Sequence, residues 1–257
     1  MLTERRKKEI ASLNRRKNRD ERGEFLVEGV RSVRAAIDGG ATVTELLSTS
    51  NAGEENLAGL VDKRGGKYYV ISPREMNKFS AVRESQGILA VCSIPRLNPE
   101  DILVSSTVLL LDGVQDPGNV GTLVRTAGWF GIEAVLSGPG TADFFNPKTV
   151  RSSMGGIWDL KLAETDNPVE WITQFRSEGG LVYAADMSGS DVNSFEFRRP
   201  SALVIGSEAR GISDVVRKVV DHLVHIPGPA RRGATESLNA GVAGGLIMAR
   251  WVTGQSK

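Results

Sequence analysis

From residue 107 onward, apolar runs that read as buried strands alternate with segments that read as helices, and this alternation restricts the possible folds more than any other feature of the chain. "TVLLLDGV" and "ALVIGSE" are nearly unbroken apolar runs, the pattern of strands covered on both faces. "IEAVLSG", "GLVYAAD" and "HLVHIPG" are shorter runs of the same kind. Helical candidates lie between and after them: "NVGTLVRTAGWFG", "NPKTVRSSMG", "NPVEWITQFRSEG" and the closing "ESLNAGVAGGLIMARW". Such alternation implies an α/β fold, a parallel sheet with helices on both faces. Ligands of open parallel sheets bind beyond the carboxyl ends of the strands. The chemistry is therefore expected in three loops, "DGVQDPGNVG", "GSEARGIS" and "IPGPARRGATESLN".

The first hundred residues read as a smaller α/β unit. "FLVEGVRSVRAAIDGG" places Val27, Val30, Val33, Ala36 and Ile37 at helical spacing and ends on a glycine pair, as a helix C-terminus does. "VTELLSTS", "KYYVIS" and "GILAVCSI" read as short strands, and "PREMNKFSAV" as a short helix opened by proline. "PRLNPEDI" breaks the pattern with two prolines and marks a domain boundary. The expected organisation is a basic arm at 1–22, a small domain at 23–97, a linker at 98–106 and a larger domain at 107–257. A chain of 257 residues with 40% hydrophobic content can bury two such cores.

Several classes are disfavoured. No apolar run approaches the ~18 residues that cross a bilayer, and "MLTERRKKEIASLNRRKNRDER" lacks the apolar core of a secretory signal. A cytoplasmic protein without membrane partners is the expectation. The single cysteine, Cys92, allows no internal disulfide and reads as a buried strand residue. His222 and His225 read as sharing one face of a short strand, and with no third ligand in view no metal is expected. Neither GxGxxG after the first strand nor GxxxxGK[ST] is present, which argues against a dinucleotide site and a P-loop.

A net charge of +1 says nothing about nucleic acid, but its distribution does. Residues 1–22 hold nine Lys/Arg against four Asp/Glu, a surplus of five. Such an arm attracts phosphates through counterion release, and Arg5, Arg6, Arg15 and Arg16 are the candidates, joined by Arg31 of the following helix. The same pattern also fits a solvated helix face.

The three loops resemble, in order and wording, the motifs of the SpoU/TrmH group of SPOUT methyltransferases. "DPGNVGTLVRTAGWFG" is similar to PxNxGxxxRTA at Pro117, Asn119, Gly121, Arg125, Thr126 and Ala127. "LVIGSEARGIS" is similar to GxExxG at Gly206, Glu208 and Gly211, and "IPGPARRGATESLNAGVA" to IP followed by SLN at Ile226, Pro227, Ser237, Leu238 and Asn239. Residues 22–95 resemble the smaller substrate-binding domain that precedes the catalytic domain in many members. The resemblance implies a catalytic domain with a C-terminal deep trefoil knot, a rare exception to unknotted chains. It further implies S-adenosylmethionine (AdoMet) as cofactor, a homodimer through the catalytic domain, and methyl transfer to an RNA ribose 2'-hydroxyl. Ribosomal RNA is favoured over transfer RNA because of the accessory domain; a transfer-RNA enzyme and a non-catalytic RNA-binding or ribosome-assembly protein are the alternatives.

Carried over residue by residue, the resemblance implies a catalytic set of Arg125, Asn119, Glu208, Ser237 and Asn239. Its cofactor contacts would come from Gly206, Ser207, Glu208, Ile226, Gly228, Ser237, Leu238 and Asn239. The family proposal often makes the arginine a general base. Neutralising a guanidinium of pKa above ~12 near pH 7 costs about 5 units, or ~7 kcal/mol, so stabilising a developing alkoxide or positioning phosphate is physically easier. Ser237 and Asn239 also fall at a helix start, where short polar side chains cap; Ser237 is the better placed and Asn239 lies further in. The loop departs from the family pattern: "GPARRGAT" at 228–235 is longer than usual and opens with Gly228 where Met is common. Arg231 and Arg232 within it either reach RNA phosphate or are solvated.

The closing helix carries Gly241, Gly244 and Gly245, although each costs ~1 kcal/mol relative to alanine. Something must approach that face closely. For Gly241 the sequence leaves two readings open, the cofactor loop inside a knot or tight helix packing; Gly244 and Gly245 fit a subunit interface as well.

Overall fold

The computed structural model describes residues 2–49, 55–228 and 237–254. The chain divides into two compact units, one formed by Met1–Pro95 with Asp143–Trp158, the other by Arg96–Ala142 with Asp159–Lys257.

The first unit opens with two short helices, α1 (Glu4–Ser12), capped by the Thr3 side chain, and α2 (Arg16–Arg22), closed by Gly23 in the left-handed conformation. Strand β1 (Glu24–Glu28) and helix α3 (Val30–Asp38) follow, then β2 (Val43–Ser48), α4 (Glu55–Lys63), β3 (Lys67–Val70), α5 (Pro73–Phe79) and β4 (Ile88–Ser93). The sheet order is β1-β4-β2-β3, with β3 parallel to β2 and the other pairs antiparallel. The expected single helix over 25–40 is thus a strand and a helix. Val27, at helical spacing with Val30 and Val33, sits in β1, and Gly29 at φ 96° makes the corner that separates them. Cys92 is fully buried in β4, and burial pushes its thiol pKa up.

The stretch read as a free basic arm is part of this unit. Ile10 and Leu13 are fully buried with Leu26, Leu47, Met76, Phe79, Leu89 and Val91. Arg6 donates to Glu24 at 2.9 Å and to Glu45 at 2.8 Å; burial opposes its charge, but these hydrogen bonds raise its pKa above the ordinary value. Arg19 is buried and donates to Asp143 and to the Leu13 carbonyl at 2.8 Å. Arg5 pairs with Glu9 at 3.0 Å and Arg16 with Asp20 at 3.5 Å, both from exposed positions. Much of the local cation surplus therefore faces carboxylates of the same unit.

In the second unit six strands form one all-parallel sheet in the order β10-β8-β9-β5-β6-β7. They are β5 (Thr107–Asp112), β6 (Ala134–Ser137), β7 (Lys161–Glu164), β8 (Leu181–Asp191), β9 (Ser201–Gly206) and β10 (His222–His225). The crossovers carry α6 (Pro117–Trp129), α7 (Pro147–Ser153), α8 (Pro168–Ser177) and α9 (Asp214–Arg217), and α10 (Ala240–Thr253) follows β10. Strands β5 and β9, entirely buried, are the two unbroken apolar runs of the sequence.

Two boundaries differ from expectation. The stretch taken as a linker belongs to the second unit: Pro99–Ile102 form a 3-10 turn, Ile102 and Leu103 are buried beside Trp171, and the Trp171 indole donates to the Pro99 carbonyl at 3.0 Å. The segment carrying α7, assigned by sequence to the larger domain, packs in the first unit, where Phe145 and Trp158 lie 4.7 and 5.8 Å from the Phe25 ring. The expected knot depends on the course of residues 229–236, outside the described residues.

The glycine face of α10 lies on α6. A Cβ on Gly241 would stand 3.1 Å from Thr122 Cγ2, one on Gly244 would overlap Leu123 Cδ2, and one on Gly245 would make an ordinary 3.7 Å contact with Thr126. Among the described residues, it is helix packing on α6 that closes in on Gly241. These contacts give opposite expectations for neighbouring glycines. Gly245→Ala should raise stability by up to about 1 kcal/mol through helix propensity. Gly244→Val, which forces the fully buried Leu123 to move, should lower it by about 1–3 kcal/mol. Thermal denaturation of the two variants checks this, and shifts of the same sign would contradict the packing.

Candidate active site

Because all six strands run parallel, their following loops emerge at one edge, and the sheet order reverses between β5 and β9. A crevice at such a reversal is where open α/β sheets bind ligands. The loop after β5 is held from below: the Thr141 hydroxyl donates to the Leu111 carbonyl at 2.8 Å and accepts from the Gly113 amide at 3.0 Å. Asp112, buried at the end of β5, accepts from the Ser213 amide at 2.6 Å and so ties this strand to the far side of the loop after β9. Asp116 caps α6, accepting from Gly118 and Asn119 amides at 2.6 and 3.1 Å.

The loop after β9 is a tight return in which Ser207 and Gly211 exchange backbone hydrogen bonds of 3.0 and 2.8 Å. Gly211 has φ 69°, and a Cβ on Gly206 would overlap the Gly211 and Ile212 backbone. Both glycines of this motif are thereby required by the turn itself.

Three motif loops meet through side chains. Asn239 Nδ2 donates to Asn119 Oδ1 at 2.9 Å, and Asn119 Nδ2 donates to Glu208 Oε1. The Asn239 side chain also accepts from the Val242 amide at 3.3 Å, making it the N-cap of α10. The sequence favoured Ser237 for that role and placed Asn239 too far into the helix; the helix begins two residues later than the motif suggests.

Beside this chain lies a cavity of about 640 Å³. Gly206, Ser207, Glu208, Ile226, Gly228, Ser237 and Leu238, all expected cofactor contacts, line it, while Asn239 does not. From α10 the lining face is Ala240, Ala243 and Ile247, so the helix presents two alanines and an isoleucine to the cavity and glycines to α6. Arg125 is exposed, outside the cavity lining, and makes no hydrogen bond or ion pair among the described residues. Arg15 and Arg31 are exposed in the first unit, whereas Arg231 and Arg232 fall outside the described residues.

Sequence reasoning missed one wall of the cavity, formed by Ala185, Asp186 and Met187 of β8 and by His225 of β10. The available signal was the position of Asp186 at the end of "GLVYAAD", a strand terminus in a parallel sheet. His222 and His225 stand three residues apart rather than sharing a face: His222 stacks on Tyr183 with ring centroids 5.5 Å apart, while His225 lines the cavity.

Residues 106–249 match the SpoU rRNA Methylase family, and residues 5–90 match the MRM3-like substrate binding domain. The chain belongs to the SpoU rRNA methylase family. It is 32% identical over 245 residues to the 23S rRNA (guanosine(2553)-2'-O)-methyltransferase RlmP of Bacillus subtilis, covering 94% of this chain and 93% of the relative. It is 30% identical over 248 residues to the 23S rRNA (uridine(2479)-2'-O)-methyltransferase of Streptomyces viridochromogenes, covering 93% and 85%. Among solved structures, the SpoU methyltransferase AviRb of Streptomyces viridochromogenes in complex with AdoMet superposes with a TM-score of 0.83 at 28% identity, covering 97% of each chain. The match to the substrate-binding domain begins within α1, in keeping with the burial of that helix in the first unit.

The double duty of Asn239 can be separated experimentally. Asn239→Ala loses cap and donor together and is expected to cost about 1 kcal/mol of stability. Asn239→Asp keeps an acceptor for Val242 but no donor for Asn119, so it should melt with the parent. Both should slow methyl transfer about tenfold or more, as expected for loss of roughly one hydrogen bond in the reacting arrangement. Equal losses of melting temperature in calorimetry would show that capping is not what Asn239 contributes to stability.

Proposed function

We propose that this SpoU-family enzyme transfers a methyl group from AdoMet to a ribose 2'-hydroxyl of 23S ribosomal RNA, acting as a homodimer. The observation that carries the reading is the cavity at the carboxyl edge of the sheet, joined to the Glu208–Asn119–Asn239 chain that links all three motif loops. The residues present suit AdoMet. Gly206 and Gly211 of the tight turn line the cavity, and a mostly aliphatic lining with Ser207, Ser237 and Glu208 suits an adenosine with a charged tail. When bound, AdoMet supplies an electrophilic methyl group.

The protein's task is then to hold and polarise the acceptor. Glu208 and Asn239 fix the Asn119 amide from both ends, so its orientation is set before RNA arrives. Arg125 sits on α6 downstream of Asn119, exposed and with its guanidinium unpaired among the described residues, suited to a phosphate or a developing alkoxide, for which a permanently charged, multi-donor group is the appropriate chemistry. A ribosomal target is supported by relatives named as 23S rRNA methyltransferases that align along nearly the whole chain, including the substrate-binding region. Such a target implies the cytoplasm; no helix among the described residues is long and apolar enough to cross a membrane.

Dimerisation is supported by exposed apolar side chains on the two helices that pack together: Trp129 of α6 is 84% exposed, and Val242 and Leu246 of α10 are 52% and 50% exposed. Large exposed apolar groups clustered on one side of a fold mark interaction surfaces, and a second copy presents the same surface.

Arg125→Ala is expected to abolish methyl transfer to 23S rRNA transcripts, assayed with radiolabelled AdoMet, while AdoMet affinity by titration calorimetry stays within a few-fold. Parallel loss of AdoMet binding would refute this division of labour. For the assembly, Trp129→Glu with Leu246→Glu should shift the mass in light scattering from twice 27.7 kDa to the monomer value; an unchanged dimer would place the interface elsewhere.

A further inference from the structure

The cavity wall that no motif marks is built with unusual care. Leu223 of β10 pairs with Ala184 of β8, yet the next residue, Val224, pairs with Ser190, so residues 185–189 leave the ladder as a bulge. Three contacts hold its shape. A Cβ on Gly189 would overlap the Leu223 and Val224 backbone, so β10 presses directly on it. The Gly189 carbonyl accepts from His225 Nδ1 at 2.8 Å. Arg217 of α9 grips the loop from outside, donating to both oxygens of Asp186 and to the Ser188 hydroxyl at 2.7 Å.

Asp186 is the focus of these contacts. Its Oδ1 accepts from the Ser188 amide at 2.9 Å and hydroxyl at 2.7 Å and from Arg217 Nη2 at 3.2 Å, whereas Oδ2 accepts from Arg217 Nη1 alone among the described residues. Burial raises the carboxyl pKa, but the Ser188 and Arg217 hydrogen bonds outweigh it and hold Asp186 below the ordinary carboxylate range. An ionised, oriented carboxylate with an acceptor position to spare thus lines the cavity.

We infer that Asp186 accepts hydrogen bonds from the ribose hydroxyls of the bound cofactor, with Arg217 as its positioning residue. The inference rests on the AdoMet reading of the cavity. The ion pair is neutral overall, and Arg217 offsets the attraction Asp186 would have for the ammonium or sulfonium of AdoMet. A vicinal diol presents two uncharged O–H donors and needs only the acceptor. The bulge supplies this rigidly, as recognition of a small polar group in an otherwise aliphatic cavity requires.

The test uses S-adenosylhomocysteine, its 2'-deoxy and 3'-deoxy analogues, and methylthioadenosine as probes in titration calorimetry. The parent should bind at least one deoxy analogue tenfold or more weakly than S-adenosylhomocysteine. Asp186→Ala should bind S-adenosylhomocysteine at least tenfold more weakly than the parent and no longer distinguish the deoxy analogues from it. A variant that binds normally, or that binds weakly but still discriminates as the parent does, overturns the inference. So does weakening confined to S-adenosylhomocysteine with methylthioadenosine unaffected, which would place Asp186 at the amino-acid end. Failure of the parent to bind S-adenosylhomocysteine at all would instead remove the cofactor assignment beneath it.

Positioning by Arg217 has its own readout. Among the described residues, the other charged or titratable groups lining the cavity are Glu208, Arg210 and His225, present in parent and variant alike. Arg217→Met removes the cation that favours the ionised Asp186, so its affinity should fall, relative to the parent, as pH drops from 7 to 5, and Arg217→Lys should restore the parent profile. Superimposable pH profiles for the parent and Arg217→Met would show that Arg217 only braces the loop.

Discussion

The contact of α10 on α6 is the constraint on which the site depends. A parallel sheet delivers the loops after β5 and β9 to a common edge without further help, since the two strands are neighbours. The third motif precedes a helix that follows β10, an edge strand two positions removed from β9. It reaches the others because α10 lies across α6 at a separation that only a glycine face allows, with Gly244 against the buried Leu123 and Gly241 against Thr122. At that separation Asn239, the residue that starts α10, meets Asn119 in the first turn of α6, and through it Glu208. Helix capping and site assembly are thus one event: the side chain that satisfies the Val242 amide also completes the polar chain.

Charge is used differently in the two units. In the first, Arg6 and Arg19 have their hydrogen bonds taken up by Glu24, Glu45 and Asp143, and they fasten α1, α2 and the segment carrying α7 to one core. A buried pair such as Arg19–Asp143 contributes little when intact but costs about 3–5 kcal/mol when one partner is removed, so it specifies which segments belong together. In the second unit Arg217 is spent on shaping a carboxylate, while Arg125 is left without a partner among the described residues. An exposed arginine whose donors meet no acceptor among the described residues is suited to an incoming anion, and the RNA backbone is one.

The motif loops were legible before the fold was. Unbroken apolar runs are a direct consequence of strands covered on both faces, so β5 and β9 could be read from residue type alone. Motif spacing also singled out the Gly206–Gly211 turn and seven residues that line the cavity, because those positions lie within single loops a few residues apart. Elements whose signal was mixed fared worse: β1 shares its valines with the helix after it, and only the corner at Gly29 separates the two.

By itself, then, the sequence determined the parallel α/β architecture, the three loops at its carboxyl edge and the family to which they belong, since periodicity and local motifs are properties of short stretches of chain. Tertiary structure alone decided what depends on distant segments meeting. It assigned residues 143–158 to the first unit through Phe25 and Arg19, and drew the basic N-terminal stretch into a core through Ile10 and Leu13. It also turned the glycines of α10 toward α6 and raised Asp186 into the cavity wall by a shift in pairing between β8 and β10. Such features are set by shape and charge complementarity across more than a hundred positions of chain in the case of Arg19 and Asp143, and no local pattern carries that information.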